Sequence, residues 1–201
     1  MLAGRSLKNW KHLKGNVFKI IYPWQLLDLH AEILSFFTKT ENPGAAQVDG
    51  VLIVGKGSRI LPGVYVEGVV MIGKDCKIGP NCYLRGSTSV GHGCHVGQGV
   101  ELKNSIVGDH TAIGHLSYVG DSILGNSVNL GAGTITANFR HDAKTHRSEI
   151  GGELVETGRK KLGAIIGDGV RTGIHTSIYP GRKIGPGLTT LPSEVVSEDL
   201  F

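Results

Sequence analysis

Two cations, Arg85 and Lys103, lie eighteen residues apart, followed by an imidazole at His115, a phenol at Tyr118 and an amide at Asn138. These types make one coherent chemical set. Paired cations hold a phosphate, and an imidazole that titrates near neutral pH takes a proton from an attacking amine or hydroxyl. Positions so scattered meet only if the backbone repeats.

The chain does repeat, with a period of six. From Val54 every sixth residue is aliphatic: Ile60, Val66, Ile72, Ile78, Leu84, Val90, Val96 and Leu102. Glycine follows at positions 55, 73, 79, 91 and 97, and the residue four after a ladder position is small or β-branched, a class that includes Cys76, Cys82 and Cys94. The three thiols therefore read as small inward residues of a reduced, cytoplasmic chain rather than as a metal site. The register slips by one residue to Val107, Ile113 and Val119, slips again to Leu124, Leu130 and Thr136, and resumes at Ile166, Thr172, Ile178, Ile184 and Thr190. Six residues suit a short strand and a turn, with glycine supplying the unusual backbone angles. The fold class is all-β, a parallel β-helix whose coils stack at about 4.8 Å. Similarity to hexapeptide-repeat proteins adds left-handed winding and a triangular coil of three hexapeptides. Residues one coil apart then lie over one another. Arg85 and Lys103 share one corner, Tyr118 and Asn138 flank it, and His115 approaches along the preceding face, all within roughly 15 Å of prism height.

Composition fits this frame. Glycine is 31 of 201 residues, charged residues are 19% and hydrophobics 40%, which excludes collagen and disorder. No apolar run reaches the roughly 20 residues of a membrane span, and no secretory signal is expected. The net charge is only +4, and Arg5, Lys8, Lys11, Lys14 and Lys19 make a basic N-terminal arm that leaves the body near neutral. Neither nucleic acid nor a membrane is an expected partner. Residues 1–50 read as arm plus helix and 51–201 as the β-helix domain. The helix is expected at 23–37, with Trp24, Leu27, Ala31 and Leu34 on one stripe and Leu26, Leu29, Ile33 and Phe36 on a second, to be covered by the prism or a neighbouring subunit. Residues 137–165 break the repeat and read as an extruded arm.

From Val100 to Asp142 the chain reads VELKNSIVGDHTAIGHLSYVGDSILGNSVNLGAGTITANFRHD. The GHLxYxGD and NxGAGTxTxN segments resemble the acetyltransferase domain of the bifunctional N-acetylglucosamine-1-phosphate uridylyltransferase/glucosamine-1-phosphate acetyltransferase. The archaeal-type sugar-phosphate nucleotidylyltransferase with that C-terminal domain is more similar, through NLGAGTITANxRxD, Gly158-Arg159-Lys160-Lys161-Leu162-Gly163 and Tyr179-Pro180-Gly181-Arg182-Lys183-Ile184-Gly185. Tyr22-Pro23-Trp24-Gln25-Leu26-Leu27 resembles that family's linker helix.

The resemblance implies an N-acetyltransferase that uses acetyl-CoA on a hexosamine 1-phosphate, glucosamine or galactosamine, with His115 as general base and no metal. Arg85 and Lys103 match phosphate contacts, and Tyr118 and Asn129 match sugar and phosphate contacts. Asn138 and Ala132 match positions near the acetyl group. Lys144 and Arg147 on the arm match two basic acceptor-site residues, and Ala132, Ile174 and Leu191 fall where the cofactor is held. It implies a homotrimer with sites between subunits, the arm reaching to the next prism, and Arg159-Lys160-Lys161 is either a CoA contact or a solvated tip. No nucleotidylyltransferase domain is evident, so a separate enzyme of that kind is an expected partner. Other readings are an acetyltransferase for a nucleotide-linked sugar, or a non-catalytic subunit docking that partner. The spacing His110-x4-His115 also occurs in zinc γ-class carbonic anhydrases, but there the earlier histidine follows the aliphatic and glycine, whereas here the later one does.

Overall fold

The structure, a computed structural model, describes residues 19–201, so the basic arm before Lys19 lies outside the described residues. The strands wind as a three-faced parallel β-helix. One twelve-stranded sheet bends around a corner to cover two faces, and a five-stranded sheet covers the third. Strands Gln47–Val54, Tyr65–Ile72 and Tyr83–Val90 pair in register at offsets of eighteen, so the first coil already includes residue 50. Every ladder aliphatic from Val54 to Leu102 is buried, 8% exposed at most, and the three cysteines are free and buried beside them. Each such side chain contributes about 1.5–3 kcal/mol relative to exposure.

The register slips have a local cause. In Tyr83–Val90 three residues separate the part that pairs with Glu101–Lys103 from the part that pairs with Ile106–Val107; in the next coil only Asn104 and Ser105 do so. The coil after that repeats the short corner with Asp121 and Ser122. Gly86 (φ 68°) turns the longer corner, and Asn104 (φ 47°) and Asp121 (φ 50°) turn the shorter ones, side chains that tolerate left-handed backbone through local hydrogen bonds.

The helix α1 spans Gln25–Ser35, inside the expected 23–37, because Pro23 sits in the preceding turn and Phe36 closes the last one. It lies on its own prism. Trp24 and Leu27 pack with Leu162, Ile106, Ile123 and Ile165, and Leu34 is 2% exposed, while Leu26 and Phe36 of the second face stay exposed.

The arm leaves the coils as expected and forms a two-stranded sheet of its own. Its hairpin, Arg147–Ile150 with Glu153–Glu156, folds back on its own coils. Lys183, 8% exposed and paired with Asp199 at 2.6 Å, donates to Ser148 Oγ (3.0 Å) and to the Glu149 carbonyl (2.5 Å), and Leu162 is fully buried. A buried ammonium needs several acceptors, and the arm supplies two of them. Arg159 ion-pairs with Asp28 of α1, which joins the helix to the arm's base.

Candidate active site

The expected stacking holds residue by residue. Arg85 pairs with Lys103, which pairs with Gly120, and Tyr118 pairs with Glu101 above and Ile135 below. The narrow face of Tyr118–Gly120 lies between two corners, with Leu116 (φ 50°) at one end and Asp121 at the other. Tyr118 runs back over Gly120. A β-carbon there would meet the phenol oxygen and approach Asn138 Nδ2 to 2.7 Å, so only glycine lets the two polar groups cross.

Asp121 holds the cluster together. Its carboxylate accepts from Lys103 Nζ (2.9 Å), Asn138 Nδ2 (2.6 Å) and Asn104 Nδ2 (3.2 Å), and Asn138 Nδ2 also donates to Tyr118 Oη (3.0 Å). The Lys103–Asp121 pair is buried, with side chains 12% and 4% exposed. Arg85 is paired with Glu101 at 2.6 Å and lies over the Tyr83 ring at 5.2 Å, in a setting about one-third open, 32% and 31%. Burial opposes the Arg85 charge, but Glu101 more than offsets it and holds the guanidinium above its ordinary value. Burial pushes the Tyr118 phenol up, with Asp121 and Glu101 adding to the effect. The phenol is therefore a neutral donor at neutral pH.

His115 ends the strand Ala112–His115 and is exposed; its side chain makes no hydrogen bond among the described residues. It heads a column. The amide after each member donates to the carbonyl of the member one coil earlier: Leu116 to Gln98, Gly133 to His115, His175 to Ala132 and Ser193 to Ile174. Gln98, His115, Ala132, Ile174 and Pro192 thus stand one above another. Ile174 (52% exposed) and Leu191 (74%), beside Pro192, give the column an open apolar stretch two to three coils, about 10–15 Å, beyond His115. Burial, Lys77 and His115 all lower His95, which lies on the same face.

Other expected residues lie away from the Asp121 cluster. Asn129 is on the His95 face, in register with Ala112 and Arg171. Lys144 and Arg147 are exposed on the arm and do not touch the Asp121 cluster. His110 (φ 57°) sits in the turn that precedes the strand Ala112–His115, and His115 closes that strand at its other end, so the two histidines stand at different corners of the coil.

The family model of the GMPPB C-terminal domain matches residues 66–179. The chain belongs to this family. A bifunctional sugar-1-phosphate nucleotidylyltransferase/acetyltransferase of Sulfurisphaera tokodaii is 41% identical over 182 residues, covering 89% of this chain and 45% of that protein. A bifunctional protein GlmU of Methanococcus aeolicus is 39% identical over 209 residues, covering all of this chain and 50% of that one. The chain spans about half the length of the curated relatives it matches. The resemblance read from the motifs, to the C-terminal acetyltransferase domain of such bifunctional proteins, holds in these matches. A UDP-N-acetylglucosamine acyltransferase from Campylobacter jejuni overlays with a TM-score of 0.45 at 17% identity, covering 81% of this chain and 68% of that chain.

For this member of the GMPPB C-terminal domain family, the sequence reading missed Asp121, Glu101 and Asn104. The stacking rule reaches them: Glu101 shares the slot of Tyr83 and Tyr118, and Asp121 sits one coil below Asn104.

Proposed function

We propose that the chain is an acetyl-CoA-dependent N-acetyltransferase acting on a hexosamine 1-phosphate, glucosamine 1-phosphate or galactosamine 1-phosphate. One observation carries this reading: the column of His115, Ala132 and Ile174 adjoins the narrow face that bears Arg85, Lys103 and Tyr118. The acceptor's phosphate lies at the cations and the acetyl donor along the apolar column, so that amine and thioester meet beside His115. The neutral amine attacks the thioester carbonyl. A C–N bond forms and the C–S bond breaks; His115 takes the amine proton and returns it to the departing thiolate. Tyr118, whose phenol oxygen is held by Asn138 and through it by Asp121, donates to the sugar or to the developing oxyanion. In the free chain both cations are neutralised by carboxylates. The Arg85–Glu101 pair is the more open of the two, so Arg85 is the one that exchanges its partner for phosphate.

The reading includes a homotrimer whose sites are completed across subunits, and a nucleotidylyl-transfer step that consumes the product. Thiol release from acetyl-CoA, followed with both amino-sugar phosphates, tests it. Acceptor-dependent release should fall by about 10²-fold or more in His115→Ala. Release unchanged in that variant would remove His115 as the base, and no release with either acceptor would remove the substrate class. Sedimentation at the mass of three chains checks the assembly.

A further inference from the structure

On the side of His115 away from the apolar stretch, the same corner is hollow. Gly63 (φ 78°), Asn81 (φ 51°) and Gly99 (φ 68°) turn it in three successive coils, and Gly99 lies over Leu116, the residue after His115. Two of these corner residues have no side chain, and the Asn81 amide takes the space that a β-carbon at Gly63 would need. The result is a groove of about 370 Å³ whose lining also includes Tyr65, Tyr83 and Glu101. Small-molecule sites have volumes of roughly 300–1,000 Å³.

Tyr65, Tyr83, Glu101 and Tyr118 share one slot in consecutive coils, beside a second slot of Glu67, Arg85, Lys103 and Gly120. The Tyr65 and Tyr83 rings stand 5.6 Å apart, tilted by 50°, and both are half-buried. The Tyr83 hydroxyl donates to the Glu67 carboxylate, which holds the phenol above its ordinary value and keeps the ring neutral. Arg85 lies over that ring at 5.2 Å, so the guanidinium adjoins the groove. Among the described residues the lining has no cation, and the groove therefore suits a neutral ring rather than a further phosphate. From the coil of His115 toward the earlier coils come Lys103, then Arg85 with Tyr83, then Tyr65, in steps of about 4.8 Å. Two stacked cations match two linked phosphates, and the aromatic pair follows where the second phosphate carries a nucleoside.

We propose that this groove is a nucleoside subsite, in which a nucleoside-diphosphate-linked amino sugar lies along the face with its amine at His115, its phosphates on Lys103 and Arg85, and its base against Tyr83 and Tyr65. The chain thereby acetylates an amino sugar that already carries a nucleotide, as well as the free 1-phosphate. The inference rests on the acetyl transfer proposed above and uses the same bond changes: the C–N bond forms, the C–S bond breaks, and the amine proton passes through His115 to the thiolate. Displaced from Arg85, the Glu101 carboxylate stays at the groove, where it accepts from ribose hydroxyls or ring N–H groups. Stacking on aromatic rings depends little on which base is present.

Calorimetric titration of the full chain compares uridine diphosphate glucosamine and guanosine diphosphate glucosamine with glucosamine 1-phosphate, and thiol release from acetyl-CoA is followed with all three. At least one nucleotide-linked sugar should bind about tenfold more tightly than the monophosphate. Tyr83→Ala should abolish that advantage and leave the monophosphate unchanged, whereas Tyr83→Phe, which keeps the ring, should preserve it. Tyr65→Ala should reduce the advantage and carries the test if Tyr83→Ala is unstable. Nucleotide-linked sugars that bind no more tightly than the monophosphate, or an advantage kept in both alanine variants, would overturn the subsite and leave transfer to the monophosphate standing. Transfer to the monophosphate alone would overturn the nucleotide-linked sugar as acceptor. Tyr83-dependent binding with no thiol release from any of the three would leave the subsite standing and remove the acetyl transfer.

Discussion

The coils before Val100 and those after it fill the same prism with different chemistry. The earlier coils are packed with aliphatics and cysteines, from Leu52 to Val100, with Thr88 the buried hydroxyl among their described residues. The later coils bury Ser105, Thr111, Ser117, Ser122, Thr134, Thr136, Thr172, Thr176 and Thr190. These hydroxyls brace the backbone that carries the site. Ser105 Oγ donates to the Lys103 carbonyl (2.8 Å) and accepts from Ser122 N (3.1 Å). Ser122 Oγ donates to the Gly120 carbonyl (2.8 Å), and Thr136 Oγ1 accepts from Gly120 N (3.0 Å). The difference teaches that cohesion and positioning are divided along one axis. Burial, which has no direction, dominates in the earlier coils, which bring only Arg85 to the proposed site of acetyl transfer, and directional hydrogen bonds take over where most of its side chains must be aimed.

Removing the polar anchor should have the largest effect. Asp121→Ala leaves Lys103 and Asn138 without their shared acceptor; a loss of about 3–5 kcal/mol in denaturant unfolding is expected, together with loss of acetyl transfer. A variant as stable as wild type would show that the later coils do not depend on the anchor. Next comes Ile78→Ala in the aliphatic half, expected to cost about 2–5 kcal/mol while kcat of the remaining folded protein is unchanged. A parallel fall in kcat would break the division proposed above. Thr136→Val keeps the shape but leaves Gly120 N unpaired, so about 1–3 kcal/mol should be lost and kcat should fall with it. Loss of stability with kcat intact would make the hydroxyls mere filling.

The smallest effect concerns the helix that packs on the side of the prism. His30 on α1 has its pKa lowered from 6.5 to about 4 by burial. Its imidazole is neutral in the folded chain, while the unfolded chain takes up a proton below pH 6.5. The folded pKa is depressed, so the contribution is full above 6.5 and is lost as pH falls from there to about 4. Urea midpoints measured across that window should fall less steeply in His30→Phe than in wild type. An unchanged slope would exclude His30 as the source.

The period of six placed every ladder residue from Val54 to Thr190 inward, because alternation and glycine spacing are local properties that any coil must satisfy. The same counting stacked Arg85 on Lys103 and brought Tyr118 and Asn138 to one corner. It also displayed the register slips before Val107 and Leu124 without revealing their meaning. Each slip is a shortened corner, and one of them sets Asp121 where it meets Lys103, Asn138 and Asn104. That meeting depends on the reach of four side chains from three successive coils, which no single repeat encodes. The folding back of the arm was equally out of sight, since it rests on Lys183 finding Ser148 and Glu149 more than thirty residues away. Sequence by itself determined the prism and the order of groups along its corners, through short-range periodicity. Only the tertiary structure decided which carboxylate neutralises which cation and where the arm lies, because those outcomes are set by side-chain reach and burial between coils.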